Sequence, residues 1–269
     1  MNEGTRLNYP IGLAAGVLPE FSPPDVVDAA AQGGFDMAGI WFDADTWSPL
    51  VSREVVKRLG ANGIKAVDIE PMWIRPGDLD DDLFRLMDAG AEVGAGNALL
   101  VSLDPDQSAN TDKMNALCEY AEPLGIQVCL EFGLFTEVKN LAMALAIVNN
   151  VNSSAKGILI DPLHLHRSGG TPSDVGVIPP ELLPYAQICD ALHTGPAADD
   201  AGGIIDEAVD GRLHVGDGEL PLRDLLQNLP PKLPLSVELR SKALRDGWPD
   251  PVERAQVTAQ ATRNFLATL

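Results

Sequence analysis

The chain has little basic charge, few histidines and no long apolar run. Its 269 residues carry 19 Lys and Arg against 39 Asp and Glu, a formal net charge of −20. Such an acidic chain repels phosphate backbones and anionic lipid, so neither nucleic acid nor a membrane surface is expected as a partner. No apolar stretch reaches the ~18 residues of a membrane span. Residues 1–10 lack the apolar core of a signal peptide, and a cytoplasmic protein is the expectation. Three widely spaced cysteines, Cys118, Cys129 and Cys189, suit neither a disulfide framework nor a thiolate zinc site. Cys129 and Cys189 fall inside apolar runs, where buried thiols are expected. Gly and Pro are scattered as turn punctuation, and nothing reads as a linker, a repeat or a low-complexity segment.

What is present is an alternation. Eight short apolar runs occupy residues 11–18, 37–42, 64–70, 97–103, 126–132, 157–161, 185–191 and 234–240. Helical patterns fill residues 23–34, 52–63, 78–94, 111–124, 136–150, a short stretch near 179–183, 219–229 and 251–269. The first helix has Pro near its start and Gly at its end, the usual asymmetry of helix termini. Strands alternating with helices imply parallel pairing through crossovers. Eight such units point to a closed barrel, and no G-x-G-x-x-G follows the first run to support a dinucleotide fold. The expected fold is α/β, one single-domain (β/α)8 TIM barrel over residues 1–269.

Four polar residues each close an apolar run: Glu131 in IQVCLE, Asp161 in GILID, Gln187 in YAQ and Glu238 in PLSVE. On strands five to eight of a barrel they are neighbours at its C-terminal mouth, the usual catalytic face. Any one of them alone could simply cap the next helix. Together, three carboxylates and an amide oxygen make a hard, oxygen-rich site for Mn²⁺ or Mg²⁺, with Co²⁺ admitted and zinc less favoured. Without a cation the carboxylates would raise each other's pKa values.

Flanking residues extend the site. His164, three residues after Asp161 at the start of an expected loop, could ligate metal, bind a hydroxyl or move a proton. His166 reads as structural. Arg167 could clamp a carboxylate or phosphate, and equally could form a surface ion pair. Arg212, in GRLHVGDGELPL, could point into the mouth. His193 opens a long polar stretch, residues 193–217, whose length suggests a lid. Glu70, Trp41 and Trp73 could supply the rim and wall of a ligand pocket. No Lys or Arg cluster marks the mouth as a phosphate site.

The chain resembles the sugar-phosphate isomerase/epimerase-like, or xylose isomerase-like, barrels over nearly its whole length. The features in question are Glu131 in LEF, Asp161 and His164 in DPLH, Gln187 in AQICD, the segment GDGELPL, and Glu238 in SVELR. The resemblance implies one divalent metal held by Glu131, Asp161, Gln187 and Glu238. It further implies α-proton abstraction by Glu131 and Glu238 through an enediolate, with His164 assisting. A keto sugar or cyclic polyol ketone is the implied substrate, and the family's dimers and tetramers make a homo-oligomer possible. Many sugar epimerases of the family carry His where Gln187 stands, and Gln looks more like the dehydratase branch. Three functions are therefore carried forward: isomerase or epimerase; dehydratase or eliminating lyase of the 3-dehydroshikimate, inosose or 3-keto-glycoside kind; and non-catalytic binding barrel. Few histidines and the acidic charge exclude the trinuclear-zinc endonuclease branch.

Overall fold

The computed structural model describes residues 9–269, so the first eight residues of the expected domain lie outside the described residues. Eight strands carry the fold: β1 (Ile11–Leu13), β2 (Met37–Trp41), β3 (Lys65–Ile74), β4 (Asn97–Ser102), β5 (Gln127–Glu131), β6 (Lys156–Leu159), β7 (Ala186–Ile188) and β8 (Leu235–Val237). Every pairing is parallel, in the order β6-β5-β4-β3-β2-β1-β8-β7. The two ends of this sheet meet at one parallel bridge between Ile160 and Ala186. There the Gln187 amide donates to the Ile160 carbonyl at 2.9 Å, which closes the barrel. One residue beyond that bridge stand Asp161 and Gln187, side by side in register.

Eleven helices follow the described strands: α1 (Pro23–Gly33), α2 (Pro49–Asn62), α3 (Asp81–Val93), α4 (Gln107–Ala121), α5 (Leu141–Val148), α6 (Pro162–Arg167), α7 (Pro172–Val175), α8 (Ala201–Asp210), α9 (Leu222–Asn228), α10 (Lys242–Gly247) and α11 (Pro251–Leu266). Their ends obey local chemistry. Ser48 caps α2 by accepting from the Val51 amide, and Gly63 ends it at φ 67°, a backbone that disfavours any side chain. Inside the barrel, Val67, Leu99, Val101, Cys129, Leu159 and Tyr185 pack together. A larger apolar layer joins strands to helices. All three cysteines are free and buried. Among the described residues, no helix is long and apolar enough to cross a membrane.

Three expectations fail locally. The helix expected over residues 136–150 begins only at Leu141, capped by Asn140, which accepts from the Met143 amide at 3.0 Å. Thr136 instead ties a turn, its hydroxyl facing the carbonyls of Gly133 and Val138 and accepting from the Val138 amide. The expected loop after β6 is the short helix α6, begun by Asp161 and Pro162. The expected polar stretch 193–217 contains the ten-residue helix α8, capped by Asp200.

The α1–α11 contact is tight. A Cβ added at Gly33 would stand 2.6 Å from the Ala255 Cβ and 2.9 Å from its carbonyl carbon. Gly60, on the exposed side of α2, has nothing within 4 Å of such a Cβ. Gly33→Val should lower stability by about 1–3 kcal/mol through overpacking. Gly60→Ala should raise it by about 0.4–1 kcal/mol by restricting the unfolded chain. Urea midpoints of the two variants against wild type check both signs.

Candidate metal and substrate site

Strand ends place the polar residues. Glu131 is the last residue of β5, Asp161 follows β6 and Glu238 follows β8; their exposures are 5%, 1% and 7%. A cavity of ≈ 470 Å³ opens above them. Glu131, Glu238, His164, Arg212, Glu70, Trp41 and Trp73 all line it, as the sequence suggests for each.

Asp161 has two tasks. As N-cap of α6 its Oδ1 accepts from the His164 amide at 3.0 Å, and its Oδ2 accepts from Arg212 Nη1 at 2.5 Å. Capping and site chemistry are therefore not alternatives here. The turn of α6 also carries the His164 ring into the cavity, where it packs on Phe135 at 4.8 Å between ring centres.

Arg212 is the centre of the charge network and is 2% exposed. It follows α8, with its backbone amide donating to the Arg240 carbonyl at 3.2 Å. Nε donates to the Ala208 carbonyl at 2.9 Å, and Nη1 also reaches the Cys189 sulfur at 3.2 Å. Nη2 lies 2.7 Å from Glu238 Oε2 and 3.2 Å from His164 Nε2. The Glu238 contact is one of charge, because its geometry makes no hydrogen bond to that oxygen. A guanidinium can only donate, so His164 Nε2 is the acceptor and the ring proton sits on Nδ1.

Burial governs the titrations. Burial, then the charges of Glu238 and Asp161, pushes Glu131 well above the ordinary carboxylate range. Glu238 is likewise raised, by burial first and Asp161 next, against Arg212. Burial, Asp68 and Glu238 together raise Glu70. Asp161 also feels burial, but Arg212 and His164 outweigh it and hold its carboxyl below the usual value. Burial lowers His164 to about 4, so the imidazole is neutral at physiological pH.

Glu131, Asp161 and His164 each offer one ligand atom, all within 4.8 Å of one another. Glu131 Oε1 and both atoms of the Gln187 amide are buried without a hydrogen-bond partner. Unpartnered buried oxygens beside clustered carboxylates are what a divalent cation would satisfy, so the donor set fits one. His164 belongs to the tightest group, which the oxygen-only set of the sequence reading did not include. Gln187 is 1% exposed and next to Asp161 in register, but it does not line the cavity.

Two expected substrate residues lie elsewhere. Arg167 forks onto Glu207 of α8, with Nε at 2.8 Å and Nη2 at 2.7 Å, and donates to the Leu192 and His193 carbonyls. His193 is exposed, its amide bonded to Glu219 Oε2 at 2.8 Å. His166 Nε2 is 3.1 Å from the His193 carbonyl. Because α6 is helical, only His164 reaches the cavity, and its later residues pin the segment after β7. That segment puts Ile205, Ala208 and Val209 over the mouth. The sequence reading missed them, together with Arg240 and Phe135 on the cavity wall and Asp68 beneath it. Burial raises Asp68 to about 7, and both its oxygens lack a partner. A carboxylate within the apolar run AVDIE was the available signal.

Fold and mouth together define a (β/α)8 barrel with an acidic end and an apolar wall. Residues 27–264 match the xylose isomerase-like TIM barrel family, and the chain belongs to it. None of the curated proteins matches its sequence. Among solved structures, the IOLI protein with a bound zinc atom superposes with a TM-score of 0.81 at 17% identity, over 96% of this chain and 98% of that one. The probable 3-DHS dehydratase AsbF from Bacillus anthracis gives 0.72 at 15% identity, over 96% and 100%. A xylose isomerase-like barrel fused to a 4-hydroxyphenylpyruvate dioxygenase gives 0.79 at 20% identity, covering 94% of this chain but 42% of the fusion. D-allulose 3-epimerase from Methylomonas sp., in complex with D-allulose, gives 0.69 at 15% identity, over 95% and 96%. These likenesses are of fold.

Removing the guanidinium should strand buried charge. In chelator, Arg212→Met should cost about 3–5 kcal/mol at pH 8. The pair's contribution exists above the unfolded aspartate pKa and fades as pH falls through the depressed value of Asp161. In the variant, Asp161 and Glu238 take up protons more readily, so the deficit should shrink at pH 5. Denaturant unfolding at the two pH values checks this.

Proposed function

We propose that the protein is a divalent-metal-dependent isomerase or epimerase of a hydroxylated ketone, working by proton abstraction next to the carbonyl. One observation carries the reading: buried Glu131, Asp161 and Glu238 converge with a neutral imidazole at the end of one cavity, with an oxygen of Glu131 unpartnered. Epimerase and isomerase-type names among barrels of the same fold support it.

Glu131, Asp161, Glu238 and Gln187 would hold the cation, because His164 has one nitrogen accepting from Arg212 and a proton on the other. Oxygen donors favour Mn²⁺ or Mg²⁺ and admit Co²⁺. Such an ion polarises a substrate carbonyl and its neighbouring hydroxyl when bound. Glu131 or Glu238 removes the α-proton, and the other carboxylate can return it from the opposite face. Burial raises both carboxyls above the ordinary range, which strengthens each as a base. His164 holds a substrate oxygen, and Arg212 keeps Asp161 and Glu238 in place. The covering residues of α8 keep water from the carbanion.

A dehydratase or lyase is the second reading. Gln187 in place of His favours it, as does a dehydratase of the same fold. If a β-hydroxyl or glycosyl group departs before the proton returns, the product is a conjugated enone. A non-catalytic barrel would leave the unpartnered oxygens without purpose.

Protein purified without chelator should contain about one divalent ion per chain by plasma mass spectrometry, lost in Glu131→Gln. With metal present, a turned-over ketone should take up deuterium from D₂O at the α-carbon by NMR. Glu131→Gln or Glu238→Gln should slow that exchange by about 10²–10⁴. The base must be deprotonated, so exchange should fall as the pH is lowered. New ultraviolet absorbance would assign the lyase; its absence with exchange would assign the epimerase. A protein that takes up no metal contradicts both.

A further inference from the structure

The cavity combines two chemistries. Glu131, His164, Arg212 and Glu238 cluster on its lining. The rest is largely apolar, with Trp73, Leu99, Val101 and Phe135 from the barrel and Ile205 and Val209 from α8. No Ser, Thr, Asn, Gln or Tyr side chain lines the cavity. Among the described residues, the charged groups still free are Glu131, Glu238 and Arg240, and all belong to the carboxylate cluster, where Arg240 acts by charge on Glu70 and Glu238. Arg212 is occupied by Asp161, Glu238, His164 and the Ala208 carbonyl. Glu70 Oε1 accepts from the Ala15 amide at 3.1 Å.

A linear keto sugar carries hydroxyls along its whole length. Those beyond the pair at the carboxylates would lose water here and find no partner. A site that rejects them on one side and offers aromatic and aliphatic surface suits a ligand with one polar and one apolar half. The ≈ 470 Å³ of space lies in the ~300–1,000 Å³ range of drug-sized ligands, more than a small ketose fills. Resting on the proposed proton-abstraction chemistry, we infer that the substrate is an α-hydroxyketone carrying an aromatic ring, with the ring between the Trp73–Phe135 wall and α8. The hydroxyketone meets Glu131 and Glu238, and Ile205 and Val209 set specificity by covering the ring.

Calorimetric titration of the Mn²⁺-treated protein with 2-hydroxyacetophenone, 1,3-dihydroxyacetone and D-fructose tests this. The aryl probe should bind with a Kd at least tenfold below either polar ketone. Ile205→Gln, at a half-exposed position on α8, should weaken the aryl probe at least fivefold and leave dihydroxyacetone unchanged. D-fructose binding as tightly as the aryl probe, or no aryl binding, overturns the assignment. Mn²⁺ uptake is titrated first in the same sample, and the probes follow whatever its result. Failure to take up metal therefore counts against the proposed chemistry, and loss of the aryl preference against the substrate class alone.

Discussion

Buried like charge is the constraint on which this mouth depends. Glu70, Glu131, Asp161 and Glu238 stand within one barrel end, each at most 7% exposed, with Asp68 just beneath. Carboxylates removed from water and set side by side cannot all ionise without positive charge among them. Arg212 supplies part of it. Its guanidinium joins Asp161 to Glu238 and fixes the tautomer of His164. Glu131 feels the charge of Arg212 without bonding to it, and burial outweighs that charge: its pKa is driven up and one oxygen has no partner. That asymmetry is the physical reason to place a cation beside Glu131, with Asp161 and His164 as its nearest company.

The fold makes such a cluster affordable because rigid elements hold every member. Glu131 and Glu238 are fixed by strand pairing, Asp161 by its cap on α6, and Arg212 by its tie to the Arg240 carbonyl. The segment after β7 then closes over the top. Arg167 clamps Glu207 and the carbonyls ahead of α8, so the apolar side of that helix is delivered to the cavity from outside the barrel. Charge comes from strand ends and covering surface from α8.

Barrel architecture was legible because eight apolar runs alternate with helical patterns at ordinary spacing, and strand-ending carboxylates stand out against such runs. Trp41, Trp73 and Glu70, near the ends of β2 and β3, and Arg212, in its glycine-bearing segment, all line the cavity. Other elements were hidden by local chemistry. α8 carries Gly202 and Gly203, weak helix formers, in its first turn, and its acidic residues dilute the Ile204, Ile205, Ala208, Val209 pattern. The stretch therefore reads as polar loop. α6 is too short to show a period, so Arg167 could not be told from His164 by spacing alone. His193 looked like a mouth residue only because the segment following it was taken as open chain. Thr136 has the chemistry of an N-cap, but its hydroxyl is spent on a turn and Asn140 does the capping.

Proton release on metal binding addresses the central claim most directly. Mn²⁺ would be titrated into chelator-treated protein near pH 7 in several buffers of differing ionisation enthalpy. If the raised carboxyls of Glu131 and Glu238 are where the cation goes, binding must expel protons, and the observed heat must vary with the buffer. The release should fall in Glu131→Gln. Tight binding with no proton released would mean that the cation sits elsewhere, and absence of binding would mean that Arg212 and Arg240 are the positive charge this mouth was built around.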